Sequence, residues 1–271
     1  MCQAEETRER LAAAFPRRTF ELRPITTRGD RTRTAAAIRR SRGVFVKELE
    51  KALLANRIDI AVHSLKDVPA DQADGLTIGA VLPREDASDC LATCDHRAIE
   101  SLPPGSVVGT SSVRRRAFLK ASFPRLKITD LRGNLDTRFE KLRSRRTRLD
   151  AIVVALAGVR RLYGDRPPTP VTPLSSDILP PAPAQGAIGL QIRSRDPRIR
   201  DLVSAIDDEP SRLTTSAERA ILHRLQGGCN VPIAARAEIE GSVLKLTCWV
   251  TDPDGDRILA ESTLGMRDDI E

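Results

Sequence analysis

Four short polar clusters in this sequence carry residue types suited to holding an anion. HSLKDVP (63–69), GTSSVRRR (109–116), DLRGNLDTR (130–138) and AGVRRL (157–162) each follow a short apolar run of strand character. Serine and glycine in such places expose backbone N–H groups, and arginine offers forked donors that match carboxylate or phosphate. Ligands of open α/β sheets bind beyond the carboxyl ends of strands, near helix N-termini, so four clusters in register predict a polyanion-binding cleft. Asp67 is opposite in sign. It follows Lys66 at a strand end, and Pro69 restricts Val68 to an extended backbone. A carboxylate facing a basic cleft guides a proton or stabilises a cationic intermediate. Pairing of Asp67 with Lys66 is an equally open reading. Arg116, Arg145 and Arg146 read as solvated surface, and His63 as packed beside a strand end rather than as a metal ligand.

A thiol forms the second element of chemistry. In RLQGGCNVPIAA (224–235), Cys229 follows two glycines at the end of an amphipathic helix. A helix C-terminus disfavours a thiolate, so activation of Cys229 has to come from nearby basic groups or an electrophilic partner. The run CLATCDH (90–96) brings two thiols and an imidazole together, but no second ligand pair of matching spacing follows, so zinc is the minority reading.

Composition narrows the classes. The 271 residues carry 44 Lys and Arg against 37 Asp and Glu, a net charge of +7. That balance suggests anionic partners. Basic-plus-aromatic interleaving is missing, with one Trp, one Tyr and six Phe, so a single-strand nucleic-acid binder is disfavoured. Five cysteines at irregular spacing argue against a secreted disulfide scaffold. No signal peptide opens the chain and no run of about 18 apolar residues occurs. A cytoplasmic chain without membrane association is the expectation.

These clusters need elements to hold them. FELRPI (20–25) reads as a strand, residues 43–56 as a helix with Phe45, Leu49 and Leu53 on one face, and RIDIAVHSL (57–65) as a strand with Ile58, Ile60 and Val62 on one side. From about Pro83, strands at 106–109, 126–129 and 150–156 alternate with helices at SSVRRRAFLKA, NLDTRFEKLRS and AGVRRL. Such alternation implies parallel sheets with helices on both faces. Residues 166–184 are proline-rich and read as a crossing or hinge. In TTSAERAILHRLQGG, Thr215 reads as an N-cap with Glu218 completing a capping box, and Gly227 as the helix stop. IAARAEIE, SVLKLTCWV and DRILAESTL then alternate as strands of a small α+β unit.

Together these segments resemble the porphobilinogen deaminase, or hydroxymethylbilane synthase, family. The resemblance rests on TTRGD (26–30), GVFVKELEKALL (43–54), DIAVHSLKDVPA (59–70), GTSSVRRR (109–116), LRGNLDTR (131–138), LPPAPAQGAIGLQIR (179–193) and AERAILHRLQGGCNVPIAA (217–235), in family order over nearly the whole chain. It implies an α/β fold of two periplasmic-binding-protein-like lobes with parallel-rich sheets, plus a small third α+β domain with a three-stranded antiparallel sheet. The implied domains are 1–82 with 187–205, 88–180, and 209–271.

The resemblance also implies a dipyrromethane cofactor, two linked pyrroles, in thioether linkage to Cys229. On it, four porphobilinogen molecules condense head to tail with loss of ammonia, and hydrolysis frees hydroxymethylbilane. Loss of ammonia leaves a cationic azafulvene, whose charge Asp67 is expected to stabilise while holding pyrrole N–H groups. Acetate and propionate side chains explain the arginines. Cofactor binding is expected of Lys66, Asp67, Ser112, Arg114, Arg115, Arg132 and Arg138, and substrate binding of Arg161 and Gln185. A monomer is expected, with no metal and no nucleic-acid partner.

Family chains of this kind begin with a strand of the type RIATRxSxLA and end with a helix over the third sheet. Neither pattern is found in this sequence, and AIRRSRG stands where a basic glycine-rich loop is expected. A longer native chain, a truncated and impaired homologue, and a non-catalytic anion- or solute-binding module of the same fold are the competing readings. Only the enzyme readings give a role to a GGC cysteine.

Overall fold

The computed structural model describes residues 1–25, 46–144, 146–225 and 231–267. Helices α1 (Cys2–Ala14) and α2 (Lys47–Leu54) precede strand β1 (Ala61–Ser64), which runs into a 3₁₀ turn at Leu65–Asp67; β2 (Leu76–Val81) follows. Next come β3 (Asp89–Thr93), β4 (Val107–Gly109), α3 (Val113–Ser122), β5 (Lys127–Thr129), α4 (Leu135–Arg143), β6 (Ala151–Ala155), α5 (Leu156–Tyr163) and β7 (Val171–Pro173). The chain continues through β8 (Ile188–Arg193), α6 (Pro197–Ser204) and α7 (Glu209–Arg224) to β9 (Ile233–Glu240), β10 (Val243–Thr251) and β11 (Ile258–Met266).

The architecture is mixed α/β with a separate antiparallel sheet. The first sheet has order β1-β8-β2, and β8 runs antiparallel to both neighbours. The second has order β5-β4-β6-β3-β7: β4 pairs parallel with β5 and β6, whereas β3 runs antiparallel to β6 and β7. Parallel pairing therefore follows the βαβ units around α3 and α4, where a helix carries the chain back across the sheet. The third sheet is the meander β9-β10-β11.

Both faces of the second sheet are dry. Leu91, Val108, Ala151 and Val153 pack with Phe118 and Leu119 of α3, while Cys90, Ala92, Ile152 and Val154 pack with Phe139 and Leu142 of α4 and Val159 of α5. Adjacent strand residues point to opposite faces, so an unbroken apolar run is what such a strand requires. Cys90 is accordingly buried, and burial pushes its thiol up to about 12. Cys94 is exposed. The described residues contain no cluster of three or more His, Cys, Asp or Glu able to hold a metal, and none of their helices is long and apolar enough to cross a membrane.

Several local expectations are corrected. Residues 20–25 are extended but make no ladder, so FELRPI is not a strand among the described residues. Ile58, Ile60 and Val62 alternate as expected but are only partly covered; the fully buried side chains of β1 are the intervening Ala61 and His63. The proline-rich segment contributes a short edge strand, β7, a position proline tolerates. Helix α7 begins six residues before Thr215: its N-cap is Asp208, whose carboxylate accepts from Ser211 N, with Pro210 in the first turn. Thr215 sits mid-helix, donating to the Ser211 carbonyl, and Glu218 is fully buried. The Asp208–Pro210 start is the stronger signal, because proline fixes a helix-compatible φ and lacks the N–H that the first turn leaves unpaired. Gly227 and Cys229 lie outside the described residues.

His63 is hydrogen-bonded through Nε2 to Gln191 Oε1 of β8 at 3.1 Å, as its place beside the strand end suggested. Burial, aided by the nearby Arg219 charge and opposed by the Gln191 bond, lowers its pKa to about 4. The unfolded chain binds this proton more tightly, so stability falls as pH drops from about 6.5 towards 4. Urea unfolding of wild type and His63→Gln should diverge by about 3 kcal/mol over that window, wild type being the more pH-sensitive. Parallel curves would show that His63 does not titrate between the two states.

Candidate functional site

The site lies where β1, β4 and β5 end. Leaving β1, the chain turns through Leu65–Asp67, burying Leu65 and exposing Asp67. The Asp67 carboxylate makes no hydrogen bond or ion pair among the described residues, although its charge is felt by Lys66 and by Arg138. Pairing with Lys66 is thus electrostatic rather than by contact.

Lys66 points inward. Its Nζ donates to Gln185 Oε1 at 3.1 Å, and burial lowers its pKa to about 8, with Asp67 and Asp89 opposing the shift and Arg115 and Arg114 adding to it. Gln185 is fully buried; its Nε2 donates to the Ala87 carbonyl at 2.6 Å and to Asp89 Oδ1 at 2.9 Å. Asp89, the first residue of β3, accepts from Arg114 Nη2 at 2.6 Å and from Arg115 Nη2 at 2.7 Å and Nε at 3.1 Å. Burial alone would raise the Asp89 pKa, but the two guanidiniums outweigh it and hold the carboxyl well below the usual range. Arg114 also donates to the Pro180 carbonyl, and Arg115 to the Val153 carbonyl at 2.9 Å.

The half-buried Lys66 and the buried Gln185, Asp89, Arg114 and Arg115 therefore form one chain of polar contacts. Asp89 was not among the residues singled out from sequence. Its signal is a lone carboxylate opening the apolar run DCLAT, a charge that must find a partner when the strand is buried.

Ser112 caps α3, its Oγ accepting from Arg115 N at 3.4 Å. Neighbouring Ser111 donates from Oγ to the Leu131 carbonyl at 2.8 Å and accepts from Leu131 N at 3.1 Å. That reciprocal pin sets the direction of Arg132, whose guanidinium makes no hydrogen bond or ion pair among the described residues. Arg138, one turn into α4, uses only Nε, on the Gly133 carbonyl at 2.8 Å. Burial, with Arg115 adding to it, lowers its pKa against the pull of Asp67. Arg116 pairs with Asp130 instead of standing free.

Arg161 of α5 bridges to the first sheet's side, with Nε on Glu6 of α1 at 3.2 Å and Nη2 on the Gly186 carbonyl at 2.8 Å. Of the arginines expected to meet carboxylates, Arg132 and Arg138 thus have open donors among the described residues, whereas Arg114, Arg115 and Arg161 already hold protein carboxylates.

Two chain crossings join the first and second sheets, paired by Leu82 N to the Ile188 carbonyl at 3.0 Å and Glu85 N to the Gly186 carbonyl at 3.2 Å. Gly186 has φ +92°, and a Cβ there would lie 2.2 Å from the Glu85 carbonyl oxygen, so only glycine permits the approach. Glu218 of α7 fastens the crossings to the third sheet. It takes Arg84 Nη1 and Nη2 at 2.8 and 2.9 Å, Ala184 N at 2.6 Å and Ala237 N at 2.8 Å.

Comparison with known proteins decides the family. Residues 1–201 match the model "Porphobilinogen deaminase, dipyromethane cofactor binding domain", and residues 212–269 match "Porphobilinogen deaminase, C-terminal domain". The chain belongs to the porphobilinogen deaminase family. It is 44% identical to the porphobilinogen deaminase of Geobacillus kaustophilus over 259 residues, covering 95% of this chain and 82% of the relative. The Paracoccus denitrificans porphobilinogen deaminase is 43% identical over 273 residues, covering 98% and 84%. Among solved structures, the methionine binding protein MetQ aligns at a TM-score of 0.44 and 12% identity, over 75% of this chain and 84% of that one. The probable amino-acid ABC transporter extracellular-binding protein ytmK from Bacillus subtilis aligns at 0.43 and 12%, over 75% and 79%.

The function is that of the family, a transferase of tetrapyrrole biosynthesis with a dipyrromethane cofactor. The donor set fits that cofactor's chemistry. Open guanidinium donors at Arg132 and Arg138 suit carboxylate side chains, and an exposed carboxylate between cationic neighbours suits pyrrole N–H groups.

Proposed function

We propose that Asp67 is the catalytic carboxylate, and that the cluster around it binds the carboxylate side chains of cofactor and substrate. The observation that carries this reading is the placing of Asp67, a carboxylate with no hydrogen-bond or ion-pair partner among the described residues, beside an array of cations. Its oxygens are left to accept N–H groups of a pyrrole and to stabilise positive charge as ammonia departs. Arg132 and Arg138 supply forked donors to acetate and propionate, and Lys66 a point charge behind them. Ser112 and the start of α3 present a hydroxyl and backbone N–H groups to the same ligands. Arg114 and Arg115, fixed by Asp89, present their remaining N–H edges without having to be ordered on binding. Arg161 and Gln185 bind substrate at the crossing, Arg161 by exchanging the Glu6 carboxylate for a substrate carboxylate.

Cys229 would hold the dipyrromethane, which when bound would supply the free pyrrole α-carbon that the first porphobilinogen joins. The domains are 1–82 with 187–205, 88–180, and 209–271, and the enzyme works as a cytoplasmic monomer without a nucleic-acid partner.

The test is the intact mass of protein purified without added substrate. An excess equal to two linked pyrrole units is expected, and Cys229→Ala should remove it completely. Excess mass persisting in Cys229→Ala would place the cofactor elsewhere. Variants Arg132→Leu and Arg138→Leu should keep the fold and lose at least ~10-fold in kcat/KM each, the scale of one charge-assisted hydrogen bond. Unchanged steady-state kinetics in both would sink the carboxylate-cleft reading.

A further inference from the structure

Helix α7 touches the loop that carries Asp67 through one side chain in particular. Arg219 Nη1 donates to the carbonyls of Val68 at 2.8 Å and Leu65 at 3.3 Å, and Nη2 to those of Pro69 at 2.7 Å and Ala70 at 3.5 Å. One turn on, and so on the same face of the helix, His223 Nε2 meets Asp71 at 3.1 Å. Arg219 makes no ion pair among the described residues; all its partners are backbone carbonyls.

A guanidinium half-buried without a carboxylate loses solvation, and an apolar side chain would fill the same space without desolvating a charge. What arginine adds is geometry. Its planar fork engages carbonyls on both sides of Asp67 from one rigid group. The loop cannot supply those contacts itself: Pro69 has no N–H, and Val68 N is spent closing the turn on the Leu65 carbonyl at 3.2 Å. The other end of the turn is tied by Leu65 N to the Ala187 carbonyl at 3.0 Å. Adjacent Glu218 holds α7 to the crossings, so both ends of the Asp67 turn are referred to one rigid body.

We propose that Arg219 is a positioning residue for the reaction: it holds the Asp67 turn at a set distance from helix α7. This inference rests on the reading of Asp67 as the catalytic carboxylate. Arg219 touches neither substrate nor cofactor and acts through the loop. An error of about 1 Å in placing a catalytic group costs on the order of 100-fold in rate.

The experiment measures kcat, KM, intact mass and the urea midpoint for Arg219→Met, Arg219→Lys and Asp67→Asn, and repeats Arg219→Met on the residual turnover of Asp67→Glu. Arg219→Met should lower kcat by roughly 10- to 100-fold, leave KM within about 3-fold, and retain the two-pyrrole mass excess. Arg219→Lys, which keeps three donors, should recover part of the loss. In the Asp67→Glu background the further loss should shrink to under about 3-fold, because residues that act through one another are not additive.

A kcat within 2-fold of wild type in Arg219→Met, with Asp67→Asn inactive, overturns the positioning role and leaves the Asp67 reading intact. An equal loss in both backgrounds also overturns it, since Arg219 would then act independently. Full turnover by Asp67→Asn removes the catalytic carboxylate and the proposal with it. If Arg219→Met does not fold, Arg219→Lys is read by the same two-background comparison.

Discussion

Asp67→Asn is expected to lower turnover by roughly 10²- to 10³-fold, the scale set by removing one preorganised electrostatic partner of a developing charge, while leaving the protein folded and its cofactor attached. The separation of effects follows from where Asp67 sits. Its side chain is exposed at the tip of a 3₁₀ turn and makes no hydrogen bond or ion pair among the described residues. An exposed, unbonded carboxylate contributes within about ±0.5 kcal/mol to stability, so the urea midpoint should barely move.

Asparagine keeps the shape and one acceptor oxygen but removes the charge. Any large loss is therefore a loss of charge at the reacting centre. Reading kcat and KM separately matters, because a deficit confined to kcat means the charge is needed only in the transition state. Porphobilinogen consumption and the intact mass of the same sample provide the measurement. Turnover within ten-fold of wild type would take Asp67 out of the chemistry.

Asp89→Leu is expected to have the opposite profile, destabilising the fold by about 3–5 kcal/mol, as breaking one side of a buried ion-pair cluster does. Asp89 is fully buried between Arg114 and Arg115, both less than a tenth exposed, and it also accepts from Gln185. Removing it leaves two guanidiniums facing each other in a dry interior. Replacing all three together (Asp89→Leu, Arg114→Met, Arg115→Met) should recover most of the stability, because no uncompensated charge remains.

That triple variant separates two roles of the arginines. If stability returns and the two-pyrrole mass does not, Arg114 and Arg115 serve the ligand as well as the fold. If the triple variant is folded and still carries cofactor, their role is structural. A single Asp89→Leu chain with an unchanged urea midpoint would contradict the buried cluster itself.

The polar side chains near strand ends were readable in the sequence because their signals are local. Serine and asparagine at helix starts, arginines after short strands and a proline after Asp67 each report a backbone geometry within a few residues. Ser112 and Asn134 cap α3 and α4 as such patterns imply. The capping box at Thr215 misled for a related reason. The spacing Thr215 to Glu218 is that of a box, but the helix had begun at Asp208, and only the tertiary demand of Arg84, Ala184 and Ala237 explains a buried glutamate there.

The partners of Asp89, Arg219 and the Glu6–Arg161 link have no local signature, since they lie 25 to 155 residues away. The sequence by itself determined the family, the alternation of strand and helix, and which segments carry arginine, serine and the thiol, because motif, periodicity and capping are encoded over short spans. The tertiary structure decided which cations are already neutralised and which remain open. That outcome depends on burial and on carboxylates brought in from elements distant in sequence, and Coulomb energy in a dry interior is set by distance through space rather than along the chain.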